Sequence, residues 1–561
     1  MADFDVCVIG SGAGAGPIIL EMAQAGRSVV VLEKGPWLKT PDFAKDEIKH
    51  CRRTTFTPQL RDEPHVVELE ERGKWRAWPT YNTGWDFWNG SMVGGATTLM
   101  AGYFHRLKPV DFRLRSTFGP VEGADVQDWP ISYDDLEPYY AKAETEIGIS
   151  GRVVDHAFAE PRSTPDFPMP PIAEHPISGW LDDAITTLGW KPVPVARAVL
   201  SRPRVHADQP IRRPCEQAGY CAMYGCTSGA KGDSRVALLN RAVATGHCTI
   251  RPQSMVVHLH SDATGKVIAA EYIDASGHSQ RVTAKTFVVA CQPIESSRLL
   301  LRSTGPKHPN GLANRSGLVG QYLLWSAGGI GRAEIVRGDL SAERAAQLTS
   351  PLPFLNRAIY DAYVLREPGK APYKGGVVDF VLPSPNPIRR AMRHAWDEHG
   401  PVWGWRFKDA LQRGFHDERQ LTFEVFCDWM PTRDSHIVLD ARKRDRWGGP
   451  VARVRIGEHP QNSIAGDAVG AYGTQVLRAL GGRDVRLGSA AFPSTNLTAG
   501  GCRFGHNPET SVLDVHCRAH DVPNLYVTDG SFMPTGGSVP YTWTIYANAF
   551  RVADAMLRAG V

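Results

Sequence analysis

The stretch from Phe4 to Lys34 constrains the fold more than any other part of the chain. Phe4 to Ile9 is a short β-branched run containing Val6, Val8 and Ile9, and it breaks into Gly10-Ser11-Gly12-Ala13-Gly14-Ala15-Gly16. An apolar helical stretch through Ile18, Ile19, Leu20 and Met22 follows, and Val29-Val30-Val31-Leu32 then closes on Glu33. Strand, glycine turn, helix, strand and acid in this order predict a dinucleotide-binding unit. Gly10 permits the tight turn, Gly12 lets backbone amides approach a pyrophosphate, and Ala15 keeps the helix close to the sheet. The helix N-terminus then faces the phosphates, and Glu33, 18 residues after Ala15, is placed to accept hydrogen bonds from an adenosine ribose.

Composition narrows the class. With 561 residues, 42% hydrophobic and 22% charged, the chain suits a globular enzyme of several domains and not a disordered, collagen-like or coiled-coil protein. Lys and Arg number 63 against 59 Asp and Glu, so neither nucleic acid nor an anionic membrane is expected as the main partner, and the substrate is expected to be a small molecule. Ten cysteines are too few for a disulfide-built scaffold, and the absence of an 18-residue apolar run argues against a transmembrane segment. Met1-Ala2-Asp3 leads straight into an apolar run without a basic n-region or cleavage site, which reads as cytoplasmic for the chain alone.

Further along, Val93-Gly94-Gly95-Ala96-Thr97-Thr98 forms a second glycine-rich loop, suited to close passage of backbone beside a larger cofactor such as a flavin. Ser132-Tyr133-Asp134-Asp135 reads as a capping box opening a helix through Leu136, Tyr139 and Tyr140. Cys248 to Ala290 alternates apolar and polar positions around turns at Thr264-Gly265 and Ser276-Gly277, which predicts a three-stranded meander inserted between parallel strands. The aromatic-rich section from Gln321 to Arg453 suits antiparallel strands on the substrate side, and its basic run Arg389, Arg390, Arg393 reads as a solvated helix face. Cys215, Cys221 and Cys226, interleaved with glycine, suit either an iron-sulfur cluster of the three-iron type or a buried thiol-rich turn. At the C-terminal end, Asn524 to Ser531 reads as a strand ending in Asp529-Gly530, followed by a glycine loop and a helix.

These motifs, in this order and over nearly the whole chain, resemble the glucose-methanol-choline (GMC) family of flavin oxidoreductases. The string Asp128-Trp129-Pro130-Ile131-Ser132-Tyr133-Asp134-Asp135 and the cysteine-rich segment look most like the bacterial branch of gluconate, glucose and glucoside dehydrogenase large subunits. The resemblance implies an α/β fold: a doubly wound FAD domain from segments of about 1–130, 205–325 and 490–561, and a substrate domain of about 131–204 and 326–489 with an antiparallel sheet covered by helices. It implies that Gly10, Gly12, Gly14, Ala15, Glu33 and Lys34 hold the adenosine and pyrophosphate, that Gly94, Gly95 and Thr97 run beside the flavin, and that Val256 touches the adenine. Ala290, Asp529, Gly530, Tyr541 and Thr542 complete that cofactor set. Leu99 stands where some relatives carry a histidine bonded to the flavin, so the resemblance implies dissociable FAD.

At the catalytic positions the chain departs from the family. The expected histidine, eight residues before Gly505, is Leu497, and its usual histidine or asparagine partner is Pro540. Positioned base catalysis contributes about 100- to 10,000-fold, so Tyr541, His506 and Asn496, which flank the altered positions, are the substitute candidates. The leading expectation is dehydrogenation of a secondary hydroxyl of a sugar, glycoside or polyol, with Trp85 and Trp88 as stacking candidates. Two alternatives stand beside it: an isomerase, lyase or desaturase acting on a hydrophobic substrate, and a non-catalytic flavin subunit. The resemblance further implies a small partner subunit, a cytochrome or quinone acceptor, and periplasmic residence if the chain is exported with that subunit.

Overall fold

The computed structural model describes residues 2–50, 57, 59–87, 89–206, 209–369, 371–488 and 493–561. It is a mixed α/β protein organised around two large sheets. Strand Phe4–Ile9 pairs in parallel with Val29–Leu32, and helix Gly16–Gln24 connects them. Val6, Val8, Ile9 and Val29 to Leu32 are all buried, as the continuous aliphatic runs of a sheet covered on both faces require. Cys248–Arg251 extends this sheet on one side, and Ser279–Val289 followed by Leu525–Val527 extend it on the other, all in parallel.

Ser279–Val289 joins two kinds of pairing. Its second half runs parallel to Phe4–Ile9, while its first half runs antiparallel to Val267–Ile273, which pairs in turn with Met255–Ser261. That is the expected meander, and Gly265 and Gly277 turn it at φ of +92° and +82°. The capping box is also present: Ser132 Oγ accepts from the Asp135 amide while Asp135 accepts from the Ser132 amide, and helix Tyr133–Ile147 follows.

The second sheet has twelve strands, mostly antiparallel. Its strand Glu418–Asp428 lies between Gly376–Val381 and Ile330–Val336. Leu421, Phe423, Val425 and Cys427 pack in the outer core beneath helix Pro460–Ala479, and Gln420, Thr422, Glu424 and Phe426 point the opposite way, into a cavity. The helix sits close because position 473 is glycine: a Cβ there would lie 2.7 Å from the Phe423 ring. Strand Ser494–Gly501, which carries Leu497, pairs with Gln321–Ala327 in this same sheet.

Candidate active site

One elongated cavity of about 710 Å³ runs between the two sheets. At one end its wall is backbone. Gly10 packs so tightly that a Cβ would lie 2.3 Å from the Ala290 carbonyl oxygen, and at Gly14 the Thr528 oxygen would be 2.4 Å away. Gly12 has nothing within 4 Å of the same point, so its backbone opens onto the cavity. Ser11 Oγ donates to Glu33 Oε2 at 2.5 Å and accepts from the Gly94 amide at 3.0 Å, tying the two glycine loops together. The Gly35 amide donates to Glu33 Oε1 at 2.9 Å, yet burial pushes the Glu33 carboxyl up to about 7.

Lys34, Val256 and Ala290 line this end with Gly10, Gly12, Gly14 and Glu33. Gly95, Thr97, Asp529, Gly530, Tyr541 and Thr542 also line the cavity. Ala15 and Gly94 do not reach the cavity: Ala15 is buried under the helix start, and Gly94 acts through its bond to Ser11. Asp529 accepts from the Gln292 amide at 3.1 Å and the Ser531 amide at 2.9 Å, and burial raises its carboxyl.

Leu497 and Pro540 both border the cavity and present only aliphatic surface. Tyr541 is buried beside them, its hydroxyl has no hydrogen-bond partner among the described residues, and burial together with the Asp428 carboxylate holds the phenol far above its ordinary range. It is a donor at neutral pH and not a base. His506 is exposed on a turn where the Gly505 amide bonds to the Leu513 carbonyl, so it does not reach the cavity. Asn496 lies on strand Ser494–Gly501, its side chain outside the described residues, as is Trp88. Trp85 packs against the outer core.

The group that sequence reasoning missed is Glu424. Among the described residues it is the one carboxylate that the second sheet places in the cavity. Burial pushes its carboxyl up to about 7, and the carboxylate of Asp379, its partner on the neighbouring strand, acts in the same direction. Asp379 Oδ2 is 2.9 Å from His105 Nε2, and His105 Nδ1 is 2.9 Å from Tyr360 Oη; Asp379 Oδ1 has no partner among the described residues. Arg197 also lines the cavity, held between the Tyr103 and Phe354 rings at 3.9 and 4.2 Å and donating to the Ala101 carbonyl at 3.1 Å.

Cys215, Cys221 and Cys226 lie on a single irregular loop. Among the described residues no three His, Cys, Asp or Glu side chains are placed to hold a metal ion. Each of these cysteines is engaged locally: Cys215 Sγ accepts from the Gln217 amide at 3.3 Å, Cys226 Sγ is 3.5 Å from Ser228 Oγ, and Cys221 borders the cavity. Lys231 Nζ stands among them and donates to the carbonyls of Thr98, Cys221 and Tyr224 at 2.8 to 3.0 Å. A buried ammonium satisfied by three carbonyls braces this loop against the loop that carries Thr98.

Two GMC oxidoreductase family models match the chain, one over residues 204–331 and the other over 431–549. A 2-methyl-1,2-propanediol dehydrogenase from Mycolicibacterium austroafricanum is 31% identical over 99% of this chain and 95% of its own length. The chain belongs to the GMC oxidoreductase family. A fructose dehydrogenase large subunit from Gluconobacter japonicus is 27% identical over 99% of this chain and 97% of its own. In fold, this GMC oxidoreductase is similar to Aspergillus oryzae RIB40 formate oxidase, with a TM-score of 0.64 at 15% identity, covering 99% of this chain and 98% of that one.

The cofactor of the family is FAD, and the residues present fit it. The glycine cradle at Gly10, Gly12 and Gly14 leaves no room for a side chain except where it opens on the cavity. Gln292 Nε2, Thr498 Oγ1 and Tyr541 Oη line the same cavity as buried polar atoms with no partner among the described residues, as expected of groups that meet a polar ligand.

Proposed function

We propose that this GMC oxidoreductase is an FAD-dependent dehydrogenase that oxidises a hydroxyl of a polyol or sugar, and that Glu424 takes the hydroxyl proton. FAD, when bound, supplies the acceptor for the hydride from carbon. The work left to the chain is removal of the proton, and neither Leu497 nor Pro540 can do it.

Glu424 is the observation that carries this reading. A carboxyl raised to about 7 is ionised in a useful fraction near neutral pH and is far more basic than an ordinary glutamate. The carboxylate of Asp379, held by His105 on the neighbouring strand, keeps that basicity high. Arg197, clamped by two rings, offers a fixed positive charge to an oxygen that becomes alkoxide-like as the proton leaves. Phe354, Phe426 and Leu497 add apolar surface to the same cavity.

The substrate class rests on likeness to a propanediol dehydrogenase and a fructose dehydrogenase subunit. The likeness to a large subunit supports a partner subunit, and Leu99, which offers no atom for a flavin bond, supports dissociable FAD. The test is the anaerobic visible spectrum of the FAD-loaded protein before and after addition of diols, polyols and sugars. Bleaching of the flavin bands by members of this panel is expected. A flavin left unbleached by all of them would overturn the reading.

A further inference from the structure

The stretch from Pro383 to Gln420 contains no buried residue, although it includes Ile388, Met392, Trp396, Trp403, Trp405, Phe407, Leu411 and Phe415. It forms two helices, Pro387–Arg393 and Gly404–Gln412, on either side of a short hairpin in which Trp396 pairs with Pro401. Ile388 and Met392 share one exposed helix face four residues apart, and Trp403, Trp405 and Trp396 are 80%, 76% and 68% exposed. Exposed aromatic surface on this scale marks an interaction site.

The stretch is nevertheless ordered against the body of the protein. Glu47 accepts the Ile388 and Arg389 amides at 2.8 and 2.6 Å, capping the first helix, and Arg390 donates to the Gly414 carbonyl at 2.7 Å. Its position matters, because Pro383, Ser384 and Arg389 also line the active-site cavity, so the exposed aromatics stand at the cavity mouth.

Charge identifies the occupant. From residue 387 to 415 there are six Lys and Arg against three Asp and Glu. Asp397 and Asp409 are each paired within the segment, to Arg406 and Arg413, and no carboxylate of the described residues pairs with Arg389, Arg393 or Lys408. Exposed indole rings beside basic side chains that pair with no carboxylate of the described residues match the headgroup level of a bilayer, where one end of the ring is apolar and the other wet. A protein partner would need a packed, shape-fixed surface, and this segment has no core of its own to fix one.

We propose that residues 387–415 dock the protein on an anionic lipid surface, with the cavity mouth turned toward the bilayer. The near-zero net charge of the whole chain hides this local basic and aromatic face. Among the described residues no helix is long and apolar enough to cross a membrane, so the contact is peripheral.

The test is co-sedimentation of the FAD-loaded full-length protein with vesicles of phosphatidylcholine alone or with about one third phosphatidylglycerol. Binding to the anionic vesicles is expected, weakened roughly tenfold by high salt or by Arg393→Glu with Lys408→Glu, and at least about tenfold by Trp403→Ser with Trp405→Ser. These variants should keep their bound flavin and their activity on soluble substrate, which separates lost docking from lost folding. No sedimentation with anionic vesicles, or equal binding by the tryptophan variant, would overturn the proposal. So would a dimer in light scattering that the tryptophan variant dissociates, since the face would then join two copies of the chain.

Discussion

The two ends of the cavity obey opposite rules. At the nucleotide end the wall is main chain: Gly10 and Gly14 approach neighbouring carbonyls so closely that a single methyl group has no place. At the substrate end the wall is a set of side chains, Gln420, Thr422, Glu424 and Phe426, projecting from a strand whose other face already holds the core. The difference separates tolerance of folding from tolerance of chemistry. One end should fail as structure when altered, and the other should fail as a catalyst while the fold and the flavin persist.

The largest effect is expected at the nucleotide end. Gly14→Val places a branched side chain against the Thr528 carbonyl, whose oxygen would lie 2.4 Å from even a single added carbon, and the variant should purify without flavin or not fold. Flavin absorbance of the purified variant checks this, and a full complement of FAD would break the contrast. Next comes Glu424→Gln, nearly the same shape without the basicity. It should keep FAD while substrate-driven flavin reduction slows by about 100- to 10,000-fold, read by anaerobic rapid mixing.

Smaller effects sharpen the same comparison. Tyr541→Phe removes a hydroxyl that has no partner among the described residues, so it should cost about tenfold or less in flavin reduction and leave the pH profile where it was. Gly473→Ala pushes a methyl into the Phe423 ring behind Glu424, and denaturant unfolding should show a loss of about 1–3 kcal/mol with the flavin retained. A stability loss that also released the flavin would mean that the outer core and the nucleotide end are a single unit.

This asymmetry also decides what could be read from the sequence. Phe4 to Glu33 is legible because each requirement is local: a tight turn, a close backbone approach and an aliphatic strand each select a residue type at a fixed spacing. The capping box at Ser132 and the turns at Gly265 and Gly277 are readable for the same reason. Glu424 is not, since its meaning comes from Asp379, His105 and Arg197, which are distant in sequence and joined only by strand pairing and packing. A signal is present in the alternation of Gln420, Thr422 and Glu424 with Leu421, Phe423 and Val425, a polar stripe on a strand in the middle of a sheet. Proximity in sequence to Leu497 and Pro540 points instead to His506, which the fold turns outward. The cysteine trio shows the same limit: its spacing suggests ligands, and the lysine that stands among the thiols lies outside that spacing.

Glu424 as the base is the claim on which the functional reading turns, and the rate of anaerobic flavin reduction against pH, measured for the native protein and for Glu424→Gln, tests it most directly. A base must be ionised to act, so a carboxyl at about 7 requires the native rate to rise close to tenfold per pH unit below that value and to level above it. The variant should be slow and lack this rise. A Glu424→Gln protein that kept both the native rate and the native profile would contradict the account and place the base elsewhere in the cavity.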